Sequence, residues 1–314
     1  TEAALIQATG ANGAPVPAIR HICEAADGLG EAYVMGRVSG ETLGKRITSD
    51  PRFDAIRPAL ARQCGEVLVP IHATTPPPGL KLKAVDGTLE LDRYEEVYRA
   101  TGAERPILEL AFQYLRNHVP TPVEPVLLHG DFRMGNIMAD RDGLAVVLDW
   151  ELAHVGDRHQ DLAFGCINSW RFGNIDRPAF GLGPVELFWA EYEAASGTAV
   201  EADRFRWWLV YATLWWGICC LQMADIWRTG LDKGLERAVI GRRASETEVD
   251  LLMLLEEFAP VEERSRIRIE NFTEANRHGE PSTTEMLEAL SSWIDSDVKP
   301  GAHGRDRFMA SVAL

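Results

Sequence analysis

The stretch that decides the fold runs from Val126 to Phe164 and reads VLLHGDFRMGNIMADRDGLAVVLDWELAHVGDRHQDLAF. Its apolar runs predict a strand at Val126–His129 and a hairpin of two strands, Ile137–Met138 and Leu144–Trp150. The hairpin turn, residues 139–143, contains the Asp and Gly residues that tight turns favour. Polar residues follow the first strand and the hairpin, so the pattern predicts two polar loops positioned by a small, rigid β-structure.

Outward from this stretch, strand signals come early in the chain and helix signals come late. Two short strands are predicted at His21–Glu24 and Ala32–Val38, on either side of a Gly-containing turn. Apolar periodicity predicts helices over residues 1–12, 54–73, 89–100 and 104–118, and an almost wholly helical pattern after Asp157. Strands followed by helices indicate the α+β class.

Composition excludes several classes of protein. The 314 residues are 46% hydrophobic and 25% charged, which excludes a disordered, collagen-like or coiled-coil chain and suggests two domains. The net charge of −15 makes the chain a poor generic binder of nucleic acid, since phosphate neutralisation needs clustered Lys and Arg. The acidity suits a cationic small substrate, or it serves solubility alone.

Cysteine usage and hydropathy bear on location. The five cysteines form no CxxC pair and no disulfide framework, and the N-terminus lacks the features of a signal peptide, so we expect a cytoplasmic protein. Residues 207–224 carry no charge and could be mistaken for a membrane span. We interpret them as a core helix, and we expect no membrane partner.

The chemistry-bearing residues lie on the two polar loops. The first loop carries His129, Asp131, Arg133 and Asn136, and Asp149 follows the hairpin, with Glu151 beside it. Carboxylate and amide oxygens are hard ligands of the kind Mg²⁺ takes together with phosphate oxygens. A further carboxylate without metal can accept a hydroxyl proton.

Three linked motifs resemble those of one family. His129-Gly130-Asp131-x-x-x-x-Asn136 resembles the catalytic loop of aminoglycoside phosphotransferases and choline kinases, a variant of the kinase H-R-D-x-x-x-x-N loop. Asp149-Trp150-Glu151, 18 residues after Asp131, stands where kinases carry D-F-G. Residues 156–163, GDRHQDLA, are similar to a third run of the same phosphotransferases. The resemblance covers about residues 1–255. It implies a protein-kinase-like, two-lobe α+β fold with a truncated β-rich N-lobe and a large helical C-lobe.

The resemblance assigns roles on the catalytic loop. It implies that Asp131 is the catalytic base or hydroxyl-positioning carboxylate, and that Asn136 and Asp149 hold Mg²⁺ on the phosphates of ATP. Arg133 stands where many kinases place Lys and would neutralise the transferring phosphoryl group, although a structural salt bridge is an equal alternative. Glu151 is expected to be structural.

Two further groups of residues have implied roles. Asp161 would hydrogen-bond the backbone of the catalytic loop, and His129 would brace the same loop. Residues 33–38 would form the hinge, whose backbone near Met35 and Arg37 holds adenine. Glu2, 13 residues before Pro15, stands where the family has its helix glutamate. His154 and His159 are expected to be loop residues.

The Lys-bearing strand and the phosphate-covering loop of the family would lie upstream of Thr1. We expect these residues to be missing or mobile, because intact Asp131, Asn136 and Asp149 argue against a degenerate protein. The predicted domains are 1–39, an N-lobe remnant with the hinge, 40–257, the helical catalytic lobe, and 258–314, a helical extension. The extension resembles a small domain that follows some bacterial phosphotransferases, with a helix over residues 282–298.

The predicted function is ATP- and Mg²⁺-dependent transfer of phosphate to a small-molecule hydroxyl. The substrate stays open among aminoglycoside-like polycations, choline, sugars, amino-acid-like metabolites and hydroxyacyl compounds, and so does homo-oligomer formation. Residues that could line its pocket are Trp170, Arg171, Trp215, Trp216 and Asp225. A non-catalytic binding or scaffold module is the alternative function. Metal-dependent hydrolysis is disfavoured because no His ligand pattern supports it.

Overall fold

The computed structural model describes residues 1–264, 287 and 290–314. The helix expected over residues 282–298 therefore begins outside the described residues, and its last residues, Ile294–Val298, form a π-helical turn. The chain divides into two compact units. The first comprises Thr1–Glu95 and Glu109–Leu214, and the second comprises Glu96–Leu108 and Trp215–Leu314. The functional domains 1–39, 40–257 and 258–314 stay a prediction.

Helices make up about half of the described chain. In chain order they are α1 (Glu2–Ala11), α2 (Gly44–Ser49), α3 (Arg57–His72), α4 (Gly87–Ala100), α5 (Pro106–Asn117), α6 (Arg158–Phe164), α7 (Val185–Ser196), α8 (Ala202–Thr229), α9 (Leu235–Arg242), α10 (Ala244–Glu256), α11 (Val261–Arg264) and α12 (Gly304–Ala313). The helices predicted over residues 1–12, 54–73, 89–100 and 104–118 are confirmed as α1, α3, α4 and α5 within a few residues at each end.

The strands form three antiparallel pairs in the first unit. They are β1 (Ile19–Ile22) with β2 (Tyr33–Met35), β3 (Val126–Leu128) with β6 (His154–Gly156), and β4 (Ile137–Ala139) with β5 (Leu144–Val147). The predicted hairpin is confirmed as β4–β5. Its second strand ends at Val147 rather than Trp150, because Asp149 adopts a left-handed backbone with φ of 66°.

Strand β6 was not expected, since a polar loop was predicted to follow the hairpin. Leu127 pairs with Val155 in the register of β3 and β6. On its other side, Val155 exchanges backbone hydrogen bonds with Lys83 and Val85, at 2.9 and 2.8 Å. A strand of three residues that includes a His gives almost no sequence signal, so pairing with neighbours on both sides creates it.

Helices α3 and α7 pack closely against each other, and α3 also contacts β3 and β5. A Cβ atom on Gly65 of α3 would lie only 2.4 Å from the carbonyl oxygen of Phe188 on α7, so only glycine allows this approach. Leu68 on α3 and Phe188 are fully buried at the same contact. The contact makes α3 and α7 a rigid support for the loops above them.

Helix α8 contains the uncharged run that could be mistaken for a membrane span. By length and composition it is long and apolar enough to cross a membrane, and no other helix in the described part of the chain is. Within the first unit, its side chains Trp207, Trp208, Val210 and Leu214 are buried. This burial agrees with the expected core helix.

Candidate active site

The backbone of the first polar loop is anchored by a buried carboxylate. Oδ2 of Asp161 accepts the N–H of His129 at 2.7 Å, and Oδ1 accepts the N–H of Gly130 at 2.9 Å. Gly130 has φ of +82°, and a Cβ there would meet the carbonyl oxygen of Leu152 at 2.3 Å. The turn therefore requires glycine, and two hydrogen bonds orient the residues that follow it.

Asp161 occupies this position because α6 begins at the end of β6. Asp157 caps the helix by accepting the N–H of His159 at 3.0 Å, which places Asp161 one turn further along. Asp161 is fully buried, and Nε2 of His72 lies 3.3 Å from its Oδ2. Burial raises the pKa of Asp161, but the hydrogen bond and charge of His72, with His129 and the Gly130 N–H, outweigh it and hold the pKa below its ordinary value.

His129 joins the two polar loops through its ring. Nδ1 accepts the N–H of Asp131 at 3.2 Å, so the proton of the neutral ring lies on Nε2, which donates to the carbonyl of Leu148 at 3.0 Å. Burial lowers the pKa of His129 despite nearby carboxylates. The ring also packs against Trp150, with centroids 4.7 Å apart. Because both nitrogens of this neutral, buried imidazole form hydrogen bonds, the ring can hold the first polar loop against the end of the hairpin.

Asp131 lies between two donors at the mouth of the loop. Its Oδ1 accepts Nε of Arg133 at 2.8 Å, and its Oδ2 accepts Nδ2 of Asn136 at 2.5 Å. Burial raises the pKa of Asp131, and this effect outweighs the opposing effects of Arg133, His129 and Asn136. A desolvated carboxylate with a raised pKa is a better proton acceptor than an ordinary aspartate.

Arg133 is held in place from several sides. Besides donating to Asp131, its Nη1 donates to the carbonyl of Met134 at 3.3 Å. The guanidinium carbon lies 4.5 Å from the centroid of the Trp170 ring, a cation–π distance. The salt-bridge alternative is thus realised, and the same geometry keeps a cation beside the carboxylate of Asp131. Trp170, expected in the substrate pocket, lies against Arg133.

Asn136 and Asp149 are brought together by the hairpin. The N–H of Leu148 donates to the carbonyl of Asn136 at 2.8 Å, so residue 149 leaves β5 beside residue 136. The amide nitrogen of Asn136 faces Asp131, which turns its amide oxygen away from that carboxylate. Asp149 is exposed, in the left-handed conformation that Asp tolerates better than most residues. One amide oxygen and one accessible carboxylate are a donor set that fits Mg²⁺.

The residues assigned to nucleotide binding lie around α1 and β2. Tyr33 Oη donates to Oε2 of Glu2 at 3.3 Å. Burial and the charges of Glu2 and Asp149 raise the pKa of Tyr33 above its ordinary value. Met35 is 46% exposed and Arg37 is also exposed, while the N–H of Gly36 between them donates to the carbonyl of Ala18 at 2.8 Å. Sequence reasoning placed Tyr33 in the hinge but missed its contact with Glu2.

The two histidines expected in loops are the clearest error. His154 is buried on β6, with Nε2 3.1 Å from Oε1 of Gln160, and His159 is buried on α6. His159 Nδ1 lies 2.9 Å from Oδ1 of Asp157, and its Nε2 accepts the N–H of Glu201 at 3.1 Å. The prediction failed because it placed both histidines in loops, whereas His154 lies in β6 and His159 lies in the first turn of α6.

Sequence reasoning also missed the partners of Asp161 and Asp157. Nδ1 of His72 lies 2.9 Å from the Tyr192 hydroxyl, which links α3 and α7 to Asp161. Oδ2 of Asp157 accepts Nη1 of Arg204 and Nε1 of Trp208, both at 2.9 Å. A His in the last turn of an apolar helix was the available signal for His72. Nothing local to the sequence pointed to Arg204.

The remaining pocket candidates are divided between the two units of the chain. Arg171 donates to the carbonyls of Cys166 and Ile175, and so links the chain segments on either side of it. Trp215, Trp216 and Asp225 belong to the second unit, where Asp225 pairs with Arg228 at 3.1 Å. Glu151 is exposed, next to the buried Trp150. A substrate pocket lined by these residues stays a prediction.

The sequence is similar to that of one protein family and to those of two longer proteins. The family description "Phosphotransferase enzyme family" matches residues 1–197. Acyl-CoA dehydrogenase family member 10 of Mus musculus is 28% identical over 171 residues, 49% of this chain and 15% of that protein. A probable acyl-CoA dehydrogenase of Arabidopsis thaliana is 24% identical over 312 residues, 89% of this chain and 36% of that protein. The chain thus spans well under half the length of these two relatives.

Solved structures share the fold at low sequence identity. A candidate aminoglycoside phosphotransferase from Ralstonia eutropha JMP134 superposes with a TM-score of 0.68, at 21% identity over 82% of both chains. A choline/ethanolamine kinase family protein from Mesorhizobium loti gives 0.58, at 14% identity over 81% and 79%. An aminoglycoside phosphotransferase complexed with ADP and hygromycin B gives 0.55, at 16% identity over 82% and 81%. The predicted kinase-like α+β fold class is confirmed.

Proposed function

This chain belongs to the phosphotransferase enzyme family, and on that premise we propose that it transfers the γ-phosphoryl group of ATP to a small-molecule hydroxyl in a Mg²⁺-dependent reaction. The observation that carries the proposal is the environment of Asp131. This carboxylate is 8% exposed, has a raised pKa, and is oriented by Arg133 and Asn136 at hydrogen-bond distance. A proton acceptor, Asp131, and a cation in a fixed position, Arg133, thus lie side by side on a loop whose backbone is held by hydrogen bonds.

The proposed reaction assigns one task to each residue. The acceptor hydroxyl oxygen forms a bond to the γ-phosphorus, the bond to the ADP oxygen breaks, and Asp131 takes the hydroxyl proton. Arg133 places positive charge where phosphoryl oxygens gain negative charge. Phosphoryl transfer depends mostly on positioning and charge stabilisation, so rigid side chains supply most of what the chemistry needs.

Neighbouring residues hold Asp131 and Arg133 in this arrangement. Asp161 holds the loop backbone through the N–H groups of His129 and Gly130, and the His129 ring ties the loop to Leu148. Asn136 and Asp149 would hold Mg²⁺ through their oxygens. When bound, the ion would neutralise charge on the nucleotide phosphates. Glu2, Met35 and Arg37 are proposed to face the nucleotide.

The acceptor is proposed only as a class. A structural neighbour holds ADP and hygromycin B, and another belongs to the choline/ethanolamine kinase family, which supports hydroxylated cationic acceptors. Sequence relatives named as acyl-CoA dehydrogenases favour a hydroxyacyl acceptor instead. No disulfide joins any of the five cysteines, all of which lie in the described residues, and this supports the proposed cytoplasmic location.

A panel assay tests the function. The protein is incubated with Mg·ATP and, separately, with aminoglycosides, choline, ethanolamine, sugars and hydroxyacyl thioesters. ADP release is followed, and a new phosphate ester is sought by phosphorus NMR. We expect one class to be phosphorylated by the parent protein and not by Asp131→Asn. Binding of Mg·ATP with no ester from any class would contradict the proposal and favour a binding module.

A further inference from the structure

A second cluster of ligating side chains lies on the β1–β2 hairpin, apart from the catalytic loop. The imidazole of His21, the thiol of Cys23 and the carboxylate of Asp27 each offer a ligand atom, and these atoms lie within 4.8 Å of one another. His21 and Cys23 are two residues apart in extended chain, so their side chains leave the same face. A short 3₁₀ turn over Ala25–Asp27 then brings Asp27 back toward them.

Backbone contacts fix this arrangement. Asp27 Oδ2 accepts the N–H of Glu24 at 2.8 Å, and the Glu24 side chain accepts the N–H of Asp27, which makes a reciprocal capping box. The N–H of Cys23 donates to the carbonyl of Ala32 at 2.9 Å, which ties the cysteine to the chain entering β2. His21 Nε2 lies 3.0 Å from Asp27 Oδ2. The three donors are thus positioned before any ion binds.

The β1–β2 hairpin buries little apolar surface. Every residue of β1 and β2 is exposed or half-buried, and Ile22, Leu29 and Val34 are exposed apolar side chains. An isolated two-stranded hairpin is marginally stable without an apolar face to bury. A metal cross-link can supply the missing stability, as it does in small metal-binding folds.

We propose that His21, Cys23 and Asp27 bind one Zn²⁺ ion, with water at the fourth position. One sulfur, one nitrogen and one oxygen ligand suit tetrahedral Zn²⁺, whereas Mg²⁺ requires oxygen donors. The side chains of His21 and Asp27 are 56% and 36% exposed, so the ion enters without unfolding of the hairpin. The site is separate in chemistry from the Asn136–Asp149 pair and does not depend on the proposed phosphotransfer.

Cobalt substitution provides the test. The full chain is stripped of metal with a chelator and titrated with Co²⁺, whose thiolate charge-transfer and tetrahedral d–d bands report a sulfur ligand. We expect one Co²⁺ per chain, displaced by Zn²⁺ and not by excess Mg²⁺. Cys23→Ser is expected to abolish the charge-transfer band. His21→Gln and Asp27→Asn each weaken binding by at least tenfold, about the loss seen when even outer partners of a metal site are removed.

The other cysteines provide the matched control. Cys64, Cys166 and Cys220 are buried, and burial raises the pKa of the Cys166 and Cys220 thiols to about 12, so they do not compete for the metal. Cys219 is half-buried, and Cys219→Ser should leave the spectrum unchanged. The proposal is overturned if Co²⁺ gives no thiolate band in the parent protein. It is equally overturned if Cys23→Ser keeps the band with native far-ultraviolet circular dichroism.

Discussion

The carboxylate of Asp161 accepts the backbone N–H of His129 at 2.7 Å, across 32 residues of sequence. The contact joins α6 to the first residue of the first polar loop, and the neighbouring N–H of Gly130 adds a second hydrogen bond at 2.9 Å. Because both donors and the acceptor are buried, water cannot replace either hydrogen bond. The position of Asp131 therefore depends on a residue that need not touch substrate.

Replacing Asp161 by Asn is expected to lower the free energy of unfolding by about 2–4 kcal/mol, since one buried N–H then faces an amide NH₂. The pKa of Asp161 is depressed in the fold, so its ionised form stabilises the protein above the ordinary value of 3.8, and this contribution is lost as pH falls through the folded-state pKa. Urea unfolding at pH 7 and at descending pH measures both effects. Asp142→Asn, at an exposed position, is the control, and its free energy of unfolding should lie within about 0.5 kcal/mol of that of the parent. Equal stability of both variants at pH 7 would refute the anchoring role.

Replacing Gly130 by Ala is expected to destabilise the protein and disable the loop. The new Cβ would lie 2.3 Å from the carbonyl oxygen of Leu152, a backbone atom that cannot move aside alone. Gly197→Ala is the matched control, because its φ of +68° is also left-handed but nothing lies within 4 Å of its Cβ position. We expect backbone strain to lower the free energy of unfolding of Gly197→Ala by about 1–2 kcal/mol, and we expect a clearly larger loss for Gly130→Ala. Thermal unfolding compares them, and similar losses would show that the loop can relax.

Replacing Arg133 by Met is expected to change the pH dependence of activity. Arg133 is the strongest of the groups that lower the pKa of Asp131 against burial, so its loss raises that pKa further. Because the base must be ionised, the acidic limb of kcat/KM should move to higher pH, and kcat should fall by about 10²–10³. Arg141→Met, an exposed residue of the hairpin turn, should shift neither. An unmoved acidic limb in Arg133→Met would mean that Asp131 does not titrate as the base.

The two carboxylate partners of Arg204, Asp157 and Glu201, allow a buried ion pair and an exposed ion pair of the same guanidinium to be compared. Arg204 donates to Oδ2 of the buried Asp157 at 2.9 Å and to the exposed Glu201 at 3.3 Å. Asp157→Asn leaves the exposed Glu201 as the remaining one of these two carboxylate partners of the buried guanidinium, and should lower the free energy of unfolding by about 3–5 kcal/mol. Glu201→Gln removes only a solvent-screened partner and should cost at most about 1 kcal/mol. Denaturant unfolding of both variants decides, and the reverse order would contradict the assignment of burial.

Much of the catalytic loop could be predicted because its chemistry is local in sequence. Asp131 and Asn136 sit five residues apart on one loop, and the hairpin that follows returns Asp149 to them. The long helices were equally accessible, because apolar periodicity extends over many residues in α3, α4 and α5.

The support beneath the loop could not be predicted, since it joins distant parts of the chain. His72 contacts Asp161, and Tyr192 contacts His72, where α3 and α7 pack closely at Gly65, a contact that no local pattern reveals. Strand β6 is three residues long and exists through pairing on both sides. His154 and His159 were misplaced as loop residues for the same reason.

The most direct test of the proposed mechanism compares Asp131→Asn with the parent protein in two assays. One is the affinity for Mg·ATP, and the other is the rate of transfer to the acceptor identified by the panel. Burial raises the pKa of Asp131, so the neutral Asn should fold at least as stably at pH 7, and this advantage should shrink as pH falls. We predict nucleotide affinity within a few-fold of the parent and transfer slower by about 10²–10⁴. Transfer within about tenfold of the parent rate would contradict the assignment of Asp131 as the base.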